Sequence, residues 1–157
     1  MKITRRFTSP DTDVFETVEW TRRSSKISGM DGKVVFEMND AEVPASWSQL
    51  ATDIMVSKYF RKAGVPTDGG PNGIAAPDFE QGDEVEVGPE RSARQVIHRL
   101  AGCWRHWGES HGYFDTKQDA QAFYDELCHM MVHQMCAPNS PQSVSYTHLT
   151  LPTILLV

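Results

Sequence analysis

Residues 61 to 91 divide this chain into two parts whose patterns have to be read separately. Six of the eleven glycines (Gly64, Gly69, Gly70, Gly73, Gly82, Gly88) and four of the nine prolines (Pro66, Pro71, Pro77, Pro89) fall here. Asp78, Glu80, Asp83, Glu84 and Glu86 add negative charge. Glycine raises the entropy lost on ordering and proline removes an amide donor, so neither a helix nor a strand runs through such a stretch. It reads as an exposed insertion or linker. Gly69 to Gly73 is no phosphate cradle, because the preceding apolar strand, the following helix and a Lys-Ser or Lys-Thr pair at the right spacing are all missing.

The 157 residues suffice for one domain with a single core, and 39% hydrophobic with 23% charged residues is an ordinary globular balance. A wholly disordered chain and a disulfide-rich module are excluded. Fifteen basic against twenty-one acidic residues give a formal charge of −6, a poor match to a phosphate backbone, so direct DNA binding is not expected. Cys103, Cys128 and Cys136 allow at most one internal disulfide, and the polar, basic amino end has no leader-like apolar segment. A reducing cytoplasm is the expected setting. Glu126 is the last charged side chain, and the apolar stretch Leu149 to Val157, interrupted by Thr150, Pro152 and Thr153, is too short to span a membrane.

In the first part, Asp31-Gly32 ahead of Val34-Val35-Phe36 predicts a hairpin turn, with Lys26, Ile27 and Ser28 pairing back onto 33 to 37. Glu19, Trp20, Arg22 and Arg23 belong to that strand or to a loop entering it. After Pro44, the residues Trp47, Leu50, Ala51, Ile54, Met55 and Lys58 recur at spacings of three and four, predicting an amphipathic helix to about Phe60. Trp47 and Tyr59 lie on or beside its apolar stripe and read as core.

In the second part, Ser92 and Gln95 have capping-box spacing, and Ala93, Val96, Ile97, Leu100, Ala101, Trp104 and Trp107 form the apolar side of a helix ending before Gly108. Its other side carries Arg94, His98, Arg99, Arg105 and His106, a basic surface expected to face solvent. Thr116 and Asp119 form another capping pair, so a third helix starts near Lys117 with Ala120, Phe123, Tyr124, Leu127, Met131 and Met135 on its apolar face. Asp125 and Glu126 are adjacent rather than a turn apart, which suits an exposed helical surface better than a carboxylate pair for acid-base chemistry. Pro138 and Pro141 force the chain to turn or extend around Asn139-Ser140.

Chemistry-bearing signals are sparse. His129 and His133 are one turn apart and flanked by Cys128 and Cys136, but the glutamate of a His-Glu-x-x-His helix is missing and Cys128 points about 100° away from His129. No metal site is assigned. Ser140 has no nucleophile elbow around it and no local base.

A set of ordered words is more specific. Val18-Glu19-Trp20, Val34-Val35-Phe36-Glu37, Val43-Pro44 with Trp47-Ser48-Gln49, and Val56-Ser57-Lys58-Tyr59-Phe60 are followed by Ser92-Ala93-Arg94-Gln95, Trp107-Gly108 and Gly112-Tyr113-Phe114. Ala122-Phe123-Tyr124-Asp125-Glu126-Leu127 and Gln134-Met135-Cys136-Ala137-Pro138-Asn139-Ser140-Pro141 complete the series. Together they resemble the beginning of adenosylcobalamin-dependent, class II ribonucleotide reductase, over approximately residues 5 to 141. The resemblance implies an α+β fold: a mainly helical N-terminal region with a small β-hairpin, preceding the α/β ten-stranded barrel of the full family protein, which is absent here. The implied division is 1–60 as hairpin and first helix, 61–91 as insertion or linker, 92–141 as a two-helix segment leading into the barrel, and 142–157 as a tail foreign to the family. After Asn-Ser-Pro the family continues Val-Trp-Phe-Asn, whereas this chain reads Gln142-Ser143-Val144-Ser145-Tyr146, which suggests a reading-frame or assembly junction.

For the full-length protein the resemblance implies reduction of a ribonucleotide, usually a ribonucleoside diphosphate, at its 2′ carbon. Adenosylcobalamin raises a thiyl radical on a barrel cysteine, and a cysteine pair supplies the electrons. It further implies allosteric nucleotides, a thiol reductant such as thioredoxin that resets the disulfide, and compatibility with a homodimer. None of Cys103, Cys128 and Cys136 matches the family's catalytic cysteines; they read as core thiols. Asn139 and Ser140 are carried over as substrate-binding, because the family's segment enters the active-site end of the barrel. These residues alone are expected to be inactive and to retain no cobalamin. Two other readings stay open: a freestanding helical interaction module using Arg94, His98, Arg99 and Arg105 against an acidic protein, and a small metal-binding protein using His129, His133 and Cys136.

Overall fold

The computed structural model describes residues 1–66 and 87–139; the middle of the Gly/Pro-rich stretch and residues 140–157, Ser140 among them, lie outside the described residues. The architecture is α+β, a two-stranded antiparallel hairpin packed with three α-helices. A 3-10 turn, Val14–Thr17, comes first; its entrance is capped by Asp13, whose carboxylate accepts from the Phe15 amide, and Val14 and Phe15 are buried. β1 (Trp20–Ser28) and β2 (Val34–Pro44) pair from Trp20 opposite Pro44 to Ser28 opposite Val34. The hairpin is therefore longer than its turn signal suggested, and Glu19's neighbours Trp20, Arg22 and Arg23 are strand rather than loop.

The turn follows from local chemistry. Gly32 has φ 77°, a left-handed conformation that glycine adopts without cost, and the Gly29 amide bonds the Lys33 carbonyl at 2.8 Å. A second irregularity falls between Arg23 and Ser25, opposite Asp40 with φ 64°, and bends the ladder so that Ala41 and Val43 are fully buried. β3 (Val65–Pro66) and β4 (Val87–Gly88) form a short antiparallel ladder.

The first helix departs from expectation. α1 covers only Gln49–Ile54 and continues as a π-helical turn, Met55–Tyr59. Ser48 caps its entrance by accepting from the Ala51 amide. Leu50 and Ile54, placed on the apolar stripe by spacing, are 68% and 47% exposed, while Thr52, Val56 and Phe60 are buried. The buried line runs along 52, 56 and 60 instead, and its phase is already set inside α1, where Thr52 faces inward. Trp47 is core, as expected, but ahead of the helix; its indole donates to the Val132 carbonyl at 2.8 Å.

α2 (Ala93–Ser110) starts with the capping box read from Ser92 and Gln95, and α3 (Lys117–Val132) starts at the Thr116 cap. α2 runs through Gly108 instead of ending before it. There the absence of a β-carbon matters, since one would stand 2.3 Å from the Phe114 ring. Met135 lies beyond α3 and is exposed rather than part of its apolar face. One cluster joins all parts: Val14, Phe15, Val43, Trp47, Val56 and Phe60 pack with Val96, Ile97, Leu100, Cys128 and Val132.

Candidate functional site

The proposed substrate-binding pair falls past the last helix. Asn139 is exposed, and Ser140 lies outside the described residues. The expected basic surface of α2 is only partly a surface: His106 is exposed and His98 and Arg105 are half-buried, but two of its members face inward. Arg94 and Arg99 are 8% and 4% exposed, because α2 presents them to carboxylates across the fold instead of to solvent. Arg99 meets Glu90 through Nε at 2.8 Å and a second nitrogen at 3.2 Å, a fork-on-carboxylate pair, and also donates to the Tyr59 carbonyl. Glu90 is fully buried and accepts from the Arg61 amide at 2.8 Å. The pair thus sits where the two sides of the Gly/Pro-rich stretch come together. Arg94 lies over the Trp20 ring at 4.2 Å, 3.4 Å from Glu42 and 3.5 Å from Glu16. Ser92 donates to the same Glu42 carboxylate, tying the α2 cap to β2.

Asp125 and Glu126, expected on an exposed face, instead organise the amino end. Asp119, Ala122, Glu126, His129 and His133 follow one another at spacings of three and four and so form one stripe of α3. Residues 1–8 run along that stripe. The amino group of Met1 pairs with Asp115, and the Ile3 amide donates to Asp119 at 2.9 Å. Arg5 pairs with Asp125 at 2.7 Å; the amides of Arg6, Phe7 and Thr8 and the Thr8 hydroxyl all donate to Glu126 at 2.7–3.0 Å. Phe7 stacks on His129 with ring centroids 5.1 Å apart. Burial pushes the Glu126 carboxyl up, but these donors outweigh it and hold it below the ordinary range. Bonds from the Thr116 hydroxyl and the Ile3 amide do the same for Asp119. Sequence reasoning missed this arrangement; the heptad-like spacing of polar residues opposite the apolar face was its signal.

His129 and His133 stand side by side, ring centroids 4.2 Å apart, and the His129 imidazole is lowered by burial and by His133. Among the described residues no three His, Cys, Asp or Glu side chains converge as a metal cluster, so Cys136 does not join the two histidines. Cys103 and Cys128 are buried, Cys136 is half-buried, and burial raises all three thiols. They fit the core reading and are poor nucleophiles. The His98 ring bonds the Tyr124 hydroxyl at 2.7 Å. No helix among the described residues is long and apolar enough to cross a membrane.

Comparison with known proteins places this arrangement. Residues 21–134 match the family model described as class II vitamin B12-dependent ribonucleotide reductase. The vitamin B12-dependent ribonucleotide reductase of Bradyrhizobium diazoefficiens is 43% identical over 155 aligned positions, covering 90% of this chain and 12% of the relative. That of Agrobacterium fabrum is 43% identical over 157 positions with the same coverage, and that of Rhodopirellula baltica 43% identical over 127 positions, 81% of this chain and 10% of the relative. The matched part is an N-terminal region, and the chain spans about an eighth of the length of these relatives. With the family model matching well over half of its residues, the chain belongs to the class II vitamin B12-dependent ribonucleotide reductases.

Proposed function

We propose that this chain is the N-terminal α+β part of a reductase that converts ribonucleoside diphosphates to deoxyribonucleotides by thiyl-radical chemistry initiated by adenosylcobalamin. The observation that carries the reading is 43% identity across 90% of the chain to relatives named for this activity and cofactor. In this reading the ten-stranded barrel, the catalytic cysteines and the cobalamin contacts belong to the longer polypeptide. So do the allosteric nucleotides and the thiol reductant, with thioredoxin as the type; the whole works in the cytoplasm and is compatible with a homodimer. Asn139 and Ser140 lead from the helical part toward the ribose and phosphate oxygens of the substrate. An amide and a hydroxyl orient such oxygens without adding charge.

What these residues do by themselves is structural. The Glu90–Arg99 pair and the Arg94–Glu42 contact fix α2 against the hairpin and the neck of the insertion. The test compares this chain with the complete reductase in cobalamin- and dithiol-dependent reduction of a ribonucleoside diphosphate. Turnover by the complete protein and none by the 157 residues is the expected result. Deoxyribonucleotide formed by the short chain overturns the assignment of the chemistry to the remainder; a complete protein inert toward diphosphate but active on triphosphate overturns the substrate class.

A further inference from the structure

The arm formed by residues 1–8 is bound as a peptide ligand is bound. Its own side chains supply Lys2, Arg5, Arg6 and the terminal amine; the face beneath it supplies Asp115, Asp119, Asp125 and Glu126. Recognition runs largely through the arm's main chain, with the amides of residues 3, 6, 7 and 8 all donating to carboxylates. Three side chains add specificity: Arg5 to Asp125, the Thr8 hydroxyl to Glu126, and Phe7 on the face of the His129 ring with the planes within 1°. Main-chain bonds for affinity and a few side-chain contacts for selectivity are the hallmarks of extended-peptide capture.

The arm's bonds run to α3 and the loop before it, where Ile3, Arg5 and Thr8 are half-buried. Met1, Lys2, Arg6 and Phe7 are exposed, and so are Ser9 to Asp13, which join the arm to the buried Val14 and Phe15. No arm residue belongs to the core cluster. The face, by contrast, is built into α3, whose Ala120, Cys128 and Val132 are buried, so it keeps its shape whether or not the arm is seated. Asp125 keeps a second partner, Gln121 at 2.7 Å.

We propose that the α3 face bearing Asp119, Asp125, Glu126 and His129 is an exchangeable docking groove for an extended basic peptide segment, closed in this chain by its own residues 1–8. A tethered arm competes at millimolar effective concentration, so an external segment gains access only in proportion to the open fraction.

The probe is the peptide Met-Lys-Ile-Thr-Arg-Arg-Phe-Thr with a fluorophore at its carboxyl end, leaving the amine free for Asp115. Anisotropy titrations use the full chain, Arg5→Ala, and Arg5→Ala combined with Glu126→Ala. Arg5→Ala weakens the arm and leaves the groove intact, so it is expected to bind the peptide about tenfold more tightly than the unaltered chain. Adding Glu126→Ala is expected to abolish binding. Amide exchange at residues 6–8 is followed in parallel, with Val96, Ile97 and Leu100 reporting the fold. In Arg5→Ala the arm amides should exchange at least tenfold faster while the core amides stay unchanged. The proposal is overturned if those amides exchange only together with the core. It is equally overturned if the arm opens but the peptide binds no better, or if binding survives loss of Glu126.

Discussion

At the scale of the residue, the most consequential side chains are the charged ones that the fold hides. The Glu90 carboxylate and Arg99 guanidinium are almost completely withdrawn from water. Breaking such a pair leaves a buried charge without its partner, which costs about 3–5 kcal/mol. Arg99→Met should therefore lower unfolding stability by that amount in urea denaturation, and adding Glu90→Gln should restore most of it, since the neutral amide still accepts from the Arg61 amide. Gly108 is the second such position. Gly108→Ala places a methyl against Phe114 and is expected to cost about 1–3 kcal/mol, as overpacking does. The double variant Gly108→Ala with Phe114→Ala should lose less than the sum of the two single losses, because the clash is gone. Neither buried arginine was legible in the sequence. An Arg on the polar side of an amphipathic helix looks the same whether it meets water or a carboxylate brought from a distant strand, as Glu42 is to Arg94, and Glu90 adjoined a run of acids that reads as solvated.

At the scale of the element, the cap signals were readable and the periodicities only partly so. Ser92 with Gln95, Thr116 with Asp119 and the Asp31-Gly32 turn are local devices whose partners lie within four residues, and all three form as their spacing dictates. Leu50 and Ile54 show the limit. The apolar spacing puts them inward, but α1 turns Thr52 to the core in their place, so which face of so short a helix is covered is set by what packs on it and not by its own period. Leu50→Ser should accordingly change stability by no more than about 0.5 kcal/mol, the range for exposed substitutions, whereas Val56→Ala should cost about 1–3 kcal/mol in the same assay. The arm on α3 has its own pH dependence. Glu126 and Asp119 are held below their ordinary values in the folded chain, so their contribution is present above the unfolded carboxyl range near 4 and fades as pH falls through the lowered values. Protection factors of the amides of residues 3, 6, 7 and 8 should be flat from pH 7 to 5 and decline below about 4, ahead of those in α2. A decline that already sets in below the ordinary imidazole range, well above the carboxyl range, would point to His129 instead, whose imidazole is lowered in the folded chain.

At the scale of the whole molecule, the family was legible where the fold's long-range contacts were not. Ordered words spread over both parts carry kinship, while the pairing of residue 3 with 119, 47 with 132 and 42 with 94 depends on a tertiary arrangement that no local window contains. Thiol chemistry gives a global check on that arrangement. Cys103 and Cys128 are buried and all three thiols are raised, so in the native chain only the half-buried Cys136 should react appreciably with a thiol reagent at pH 8, and the other two should follow at the rate of unfolding. The indole bond from Trp47 to the Val132 carbonyl has a further consequence, for the order of events during synthesis. Its two ends are separated by 85 residues, and Thr8 and Glu126 by 118. At the usual 5–20 residues per second, Thr8 waits roughly 6–24 s before its carboxylate partner has been made. The hairpin and the first helix emerge with Val14, Phe15, Trp47 and Val56 uncovered, and they become a closed body only when α3 arrives from the ribosome. Through that interval the nascent chain is an open shell, and the apolar side chains that later form its centre are available to chaperones.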